Sequence, residues 1–424
     1  MISNAMLKSK DCILIFIAAL AARLLWAFLS GLGPEAGADF ERYNIFSDNI
    51  LAGDFNLETR LFIVAPLFPY VLALAKLAFG GSWFAGLGFF QILISSASVV
   101  CLAAAANLIF CKRSVAITAG ILYALCLPTI YYTHLPSQES LFQSFFVIAF
   151  YGLCRYHFHP SRINIAVFAI PFTLALLTKS HVILMVPLVA ALIFLKARSF
   201  KARIADTSML FIIIGLLTMP YGLYNLQANG SYVISSSGSG GFFLTGHNDD
   251  FYQWLVNTPP KESAEFSRLK QMNFHAYSED GIPASATHSQ RQSIYMQRGM
   301  TWVRKDPGKA FDLILHNLGH HLQPGYSLRF QTLRNWLAAM AFNLPIYVLA
   351  YIELAKHLKS PKRHLPAYIV FATMIIFATI FFAQNRFRLI TVEPIYVLYA
   401  SPGFLAIGIW LQKAWPFRKP KFLS

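Results

Sequence analysis

Carboxylates, guanidinia and one lysine stand in this sequence where apolar chain gives way to polar chain. The first such run is Gly37-Ala38-Asp39-Phe40-Glu41-Arg42-Tyr43-Asn44. In a helix, Asp39 and Tyr43 would share a face, being four residues apart. A carboxylate at the edge of an apolar phase, partly out of water, suits a general base that takes a proton from a hydroxyl. The competing reading is a solvated helix start, where acids are favoured anyway. Asp39 and Glu41 also offer oxygens to a divalent cation, but two carboxylates without further ligands do not make a site.

Three further runs carry charge beside apolar chain. In His134-Leu135-Pro136-Ser137-Gln138-Glu139-Ser140, Pro136 and Ser137 can open a helix. Glu139 then either complements the helix dipole or meets a substrate. Lys179-Ser180-His181 is an abrupt turn between two apolar runs, its lysine either snorkelling or facing an anion. Gln384-Asn385-Arg386-Phe387-Arg388 alternates arginine with an aromatic, and guanidinium is the group suited to bidentate contact with phosphate. Arg23 falls inside an apolar run, where a charge must face protein or a water-filled cleft.

The longest polar stretch contains Ser235-Ser236-Ser237-Gly238-Ser239-Gly240-Gly241 and Thr245-Gly246-His247-Asn248. Such glycines and hydroxyls can wrap a sugar or a phosphate. Their spacing is not that of a P-loop or a dinucleotide fingerprint. His316, His320 and His321 include an i, i+4 pair, but no carboxylate accompanies them in H-E-x-x-H fashion, so no metal site is expected.

These residues must be positioned by an unusual chain. Its 424 residues are 56% hydrophobic and only 13% charged, with mean hydropathy +0.51. Soluble domains carry about 25% charged residues. A soluble enzyme, a disordered scaffold and a disulfide-rich secreted domain are therefore excluded. Cys12, Cys101, Cys111, Cys126 and Cys154 lie in or beside apolar runs without C-x-x-C spacing, as small buried hydrophobes do.

A membrane-spanning helix needs about 20 apolar residues. Runs over 12–32, 84–110, 115–134, 138–153, 164–178, 181–195, 208–224, 336–355, 365–383 and 389–411 give ten expected spans. Residues 61–80 hold Pro66, Pro69 and Lys76 and are read as a proline-broken interfacial helix. With that assignment, 18 Lys and Arg fall on one side against Asp11, Asp206 and Glu353. The positive-inside rule makes that side cytoplasmic and puts both termini there. The net charge of +16 is then an orientation signal rather than a nucleic-acid footprint. The expected fold is all-α and polytopic, a single membrane domain over 1–424. Its first outer loop spans 33–83 with interfacial helices, and a large extracytoplasmic loop spans 225–335. The residues singled out above face the periplasmic or extracellular side of a cell (inner) membrane.

In this order the pieces resemble the GT-C superfamily of membrane glycosyltransferases, on the branch of aminoarabinose transferases and protein O-mannosyltransferases. The resemblance runs through Asp39 and Tyr43, Ala52-Gly53, Pro66-Leu67-Phe68-Pro69, Pro136 to Glu139 and Leu177-Thr178-Lys179. It continues through Ile234-Ser235 to Gly246-His247-Asn248, Asp306-Pro307 to Gln323-Pro324, and Arg386-Phe387-Arg388-Leu389. The resemblance implies an inverting enzyme that moves one sugar from a polyprenyl-phosphate donor to a lipid, glycan or protein hydroxyl. It implies Asp39 as base, with Arg386, Arg388 and Lys179 on the donor phosphate. Tyr43, Glu41, Glu139, Arg23, His247 and Asn248 would position substrate, and no cofactor or metal is called for. The chain departs from the family pattern at Asp39-Phe40-Glu41, where an adjacent Asp-Glu pair is frequent, and at Asn317, where a basic residue is frequent. A secondary transporter, a lipid-diphosphate-dependent glycan ligase and a non-enzymatic assembly subunit are the rival readings; transporters tend to show inverted repeats, and none is visible here.

Overall fold

The computed structural model describes residues 6–31, 38–59, 63–197, 199–257, 282–283, 285–325, 333–381 and 385–414. Among these the chain is helical apart from two isolated bridges. In chain order the helices begin with α1 (Ser9–Ser30), α2 (Ala38–Leu51), α3 (Leu67–Phe79), α4 (Trp83–Phe110), α5 (Arg113–Ala124) and α6 (Leu127–Thr133). Next come α7 (Gln138–Phe158), α8 (Arg162–Thr178), a 3-10 turn (Ser180–Met185), α9 (Val186–Lys196) and α10 (Phe200–Asn229). The polar stretch gives α11 (Ser239–Gly246), α12 (Asp249–Leu255), α13 (His288–Lys305) and α14 (Pro307–Leu322). The chain closes with α15 (Leu333–His357), α16 (Pro361–Ile380), α17 (Asn385–Thr391) and α18 (Glu393–Ala414).

Among the described residues six helical stretches are long and apolar enough to cross a membrane, and the chain is a multi-pass membrane protein. They are α1, the continuous run Leu67–Phe110, α10, Trp336–His357, α16 and α18. The run expected as one span over 115–134 is instead α5 and α6, bent by 51° at their junction. Pro128 in the first turn of α6 explains the break. The expected spans 164–178 and 181–195 correspond to α8 and the Ser180–Lys196 run, both shorter than a usual span. The α3 helix has 13 residues, about 20 Å at 1.5 Å per residue, and joins α4 through one 3-10 turn.

Lipid gives helices little hydrophobic drive to associate, so close packing by small side chains matters. Ala103, Ala106, Ala116, Ala119 and Gly120 bring α1, α4 and α5 together, and all four alanines are fully buried. Gly152 does the same for α7 against α8. A Cβ there would lie 2.6 Å from the Val167 carbonyl oxygen and the Phe168 nitrogen.

The bundle has two chemically distinct ends. At one, Arg113 pairs with Asp11 at 2.6 Å and Arg162 with Asp206 at 3.4 Å, while Arg363 reaches the Ile109 carbonyl. These are the helix ends that carry the basic clusters. At the other end Trp26 donates to His134 Nδ1 at 3.1 Å, Gln91 to the Leu135 carbonyl at 2.6 Å, and Asn317 to the Phe381 carbonyl at 3.3 Å. The starts of α4 and α7 and the ends of α1, α8, α10 and α16 gather there. Replacing Gly152 by Leu is expected to cost about 1–3 kcal/mol by forcing α7 from α8. Thermal melting in detergent should show a clearly lower Tm; an unchanged Tm would contradict the close approach.

Candidate active site at the polar end of the bundle

The α7 helix starts where its sequence says it should. Ser137 is its N-cap, its hydroxyl accepting from the Glu139 amide at 3.2 Å. This fixes Glu139 in the first turn with its side chain turned inward, beside the end of α8. There Lys179, in extended conformation, ends the α8 ladder and donates to Glu139 Oε1 at 2.6 Å. Both residues are less than a tenth exposed. Burying either charge alone would be costly, so each is the condition for the other being there.

The α17 turn closes over this pair. Lys179 Nζ lies 5.5 Å from the centre of the Phe387 ring. The same ring meets His181 at 5.1 Å and Phe377 at 5.1 Å. Gln143 of α7 donates to the Leu389 carbonyl at 3.0 Å, holding α17 against α7. The two arginines of the turn fare differently. Arg388 has no exposed surface. It donates to the carbonyls of His320 at 3.2 Å and of Gln323, lies 3.6 Å from Glu393 and stacks over Tyr347. In this arrangement Arg388 anchors α17 to the end of α14. The Arg386 side chain lies outside the described residues.

Asp39 sits in the first turn of α2, its side chain 49% exposed and 3.5 Å from Arg42. One turn on, Tyr43 is buried with its ring edge-on to Phe68 at 5.2 Å. The cluster around Tyr43 includes Leu72, Leu141, Tyr221 and Val233. Leu141 is two residues beyond Glu139, so α2 and the Glu139–Lys179 pair share one end of the bundle. Glu41 is exposed.

The Ser-rich run stitches these pieces together. Ser235 donates to the Leu176 carbonyl and Ser236 to the Ser180 hydroxyl at 2.6 Å, bracketing the Lys179 turn. Ser237 exchanges both backbone hydrogen bonds with Ile63 of the first loop, at 2.9 and 3.1 Å. Tyr221 donates to the Val64 carbonyl at 2.6 Å.

Three expected substrate contacts have other work. Arg23 is fully buried in α1, its Nε donating to Ser95 at 2.9 Å and its Nη1 to the Ala19 and Ala124 carbonyls. It thus serves the end of α5 at the bent junction. Asn248 is the N-cap of α12, its Oδ1 accepting from the Phe251 amide at 2.8 Å. His247 is buried, stacked on Phe243 and bonded to its carbonyl at 2.9 Å; burial pushes its imidazole below the usual range. The three histidines of α14 do not converge. His316 Nδ1 meets the Asp312 carbonyl, His320 Nδ1 meets Gln323, and burial together with Arg388 pushes His321 down to about 4. Among the described residues no three His, Cys, Asp or Glu side chains form a metal-binding group. Sequence reasoning missed Glu393. An acid within an apolar run after Arg388 was the signal, since a buried ionisable group needs a partner.

Glu139→Gln should leave Lys179 an uncompensated buried cation and cost roughly 3–5 kcal/mol. Glu139→Gln combined with Lys179→Met should recover much of that loss in a thermal melt. A double variant no more stable than the single one would contradict the pairing.

The family described as dolichyl-phosphate-mannose-protein mannosyltransferase matches in its sequence model over residues 64–221. No curated protein matches the sequence. Among solved structures, the archaeal oligosaccharyltransferase AglB from Archaeoglobus fulgidus, in complex with an inhibitory peptide and a dolichol-phosphate, aligns over 96% of this chain and 52% of its own. Identity is 12% and the TM-score 0.52. The apo form of the Archaeoglobus fulgidus oligosaccharyltransferase aligns over 96% and 51%, at 13% identity and TM-score 0.54. ArnT from Cupriavidus metallidurans bound to undecaprenyl phosphate aligns over 98% and 82%, at 14% identity and TM-score 0.43. The chain spans about half the length of the oligosaccharyltransferase. The chain therefore shares the fold of the oligosaccharyltransferase structures and, from Val64 to Tyr221, is similar in sequence to the mannosyltransferase family.

Proposed function

We propose that the protein is an inverting glycosyltransferase that moves a single sugar from a polyprenyl-phosphate donor to a hydroxyl of a lipid, glycan or protein. The observation that carries this reading is the buried Lys179 cation, held by Glu139 against the Arg386-Phe387-Arg388 turn at the bundle end that also bears Asp39. The polar end is taken as extracytoplasmic, with both termini at the basic, cytoplasmic end, since positive charge gathers on the inner side.

In the proposed reaction the donor's lipid tail lies among the helices and its phosphate reaches Lys179 and Arg386. Arg388 holds the Asn385–Thr391 turn in place. Asp39, partly exposed on α2, removes the proton of the acceptor hydroxyl. The acceptor oxygen attacks the anomeric carbon from the face opposite the phosphate. The carbon–oxygen bond to phosphate breaks, and the polyprenyl phosphate departs with the electron pair. Fixed cations act where negative charge grows on the leaving group. With the phosphate held by side chains, the reaction as proposed needs no cofactor. Tyr43 keeps α2 seated on Phe68, and so sets where Asp39 stands.

The test is transfer in membranes, read by intact-lipid mass spectrometry against a deletion strain, which should accumulate an acceptor short of one sugar. Asp39→Asn should lower transfer by about 10²–10⁴-fold, the usual share of a general base, with insertion and donor binding retained. Wild-type turnover by that variant would remove Asp39 as the base. Arg386→Ala should weaken donor binding more than acceptor binding; equal loss of both would rule out a phosphate role.

A further inference from the structure

One face of α8 carries a groove that the proposed sugar transfer does not use. Its floor is a stripe of Arg162, Ala166, Ile170 and Leu174, four residues apart and so on one side of the helix. Phe145 of α7 and Met209 of α10 complete a lining that encloses about 600 Å³. From Arg162 to Leu174 the stripe runs about 18 Å, at 1.5 Å per residue. With Ala166 in its middle, no large side chain fills the stripe there. Ile170 is 46% exposed, so the groove opens sideways, where a multi-pass protein meets lipid.

Among the described residues that line the groove, Arg162 alone is charged. It stands in the first turn of α8, at the basic end of the bundle, with its side chain 68% exposed. Its Nε lies 3.4 Å from Oδ1 of Asp206, whose own side chain is only 14% exposed. A snorkelling arginine needs nothing but water at its head; this head is pinned by a shielded carboxylate. Nη1 and Nη2 make no hydrogen bond among the described residues, and a guanidinium edge suits phosphate. Lys201 and Arg203, in the first turn of α10 at the same end, add positive charge that draws anionic headgroups. A leaflet of hydrocarbon is about 15 Å deep, so an acyl chain hung from a headgroup at Arg162 follows most of the stripe. Lys179 caps the far end of α8, about 25 Å along the helix. The position at Arg162 is therefore distinct from the one proposed for the donor phosphate.

We infer that this groove holds one anionic phospholipid, its phosphate on Arg162 and one acyl chain laid along Ala166, Ile170 and Leu174. The inference is independent of sugar transfer and needs only a chain that crosses the membrane. The bound lipid closes the seam at which α7, α8 and α10 meet. Its acyl chain fills the hollow over Ala166 and packs against side chains that otherwise face a gap. Its headgroup supplies the second anion of a guanidinium already held on one side by Asp206. A zwitterionic headgroup brings a cation beside that guanidinium and is the poorer partner, because like charges repel.

The test is native mass spectrometry of the full-length protein in detergent, titrated with phosphatidylglycerol or with phosphatidylcholine of the same acyl chains. One phosphatidylglycerol per chain is expected to bind, about tenfold more tightly than phosphatidylcholine, as a charge-assisted hydrogen bond allows. Arg162→Gln, confirmed as folded by size exclusion, should erase that preference. Ala166→Phe leaves the Arg162–Asp206 pair in place and fills the hollow, and should weaken phosphatidylglycerol binding by about tenfold. Equal affinity of the wild-type protein for the two lipids, or a preference that survives both substitutions, would overturn the inference. So would displacement of the bound phosphatidylglycerol by an equal concentration of polyprenyl phosphate, since the groove would then belong to the donor's tail.

Discussion

A 2.6 Å ion pair between Glu139 and Lys179 is the interaction around which the polar end of this protein is organised. Neither charge can be buried without the other, and neither helix end could stop where it does if its charge stood in lipid. Ser137 caps α7 and aims Glu139; the extended backbone at Lys179 ends α8 and aims its ammonium back. The Phe387 ring then packs beside the cation, and the Ser-rich run fastens to Leu176 and Ser180 on either side of it. Four segments separated by some 250 residues of sequence converge because one salt bridge has to be enclosed.

Two buried guanidinia extend the same logic. Arg23 and Arg388 each have no exposed surface, and each places its Nη1 on a carbonyl at a helix terminus. Helix ends leave carbonyls without intrahelical partners, and within a membrane protein water is not at hand to satisfy them. Arg23 serves the junction of α5 and α6, while Arg388 serves the end of α14 and is balanced by Glu393. These arginines make a bent helix and a docked extramembrane helix tolerable, and so hold the surroundings of the Glu139–Lys179 pair in shape.

Much of this was legible from sequence. The apolar runs, the all-helical class, the sorting of basic residues to one end, and the start of α7 at Ser137 all follow from local rules of hydropathy and capping. What was not legible depends on direction and partnership. Arg388 reads in the sequence as a phosphate ligand, yet its side chain turns into the protein, toward the end of α14. His247 and Asn248 read as polar loop residues, whereas their first role is to end α11 and begin α12. The 115–134 run has the length of one span, but Pro128 and the Arg23 contact to Ala124 divide it.

The measurement that bears most directly on the whole is where a lipid phosphate docks. A polyprenyl phosphate bearing a photoreactive group beside its phosphate should crosslink to peptides containing Asp39, Lys179 or Arg386. Crosslinks confined to the opposite end, around Lys112, Arg113 and Arg363, would contradict the account.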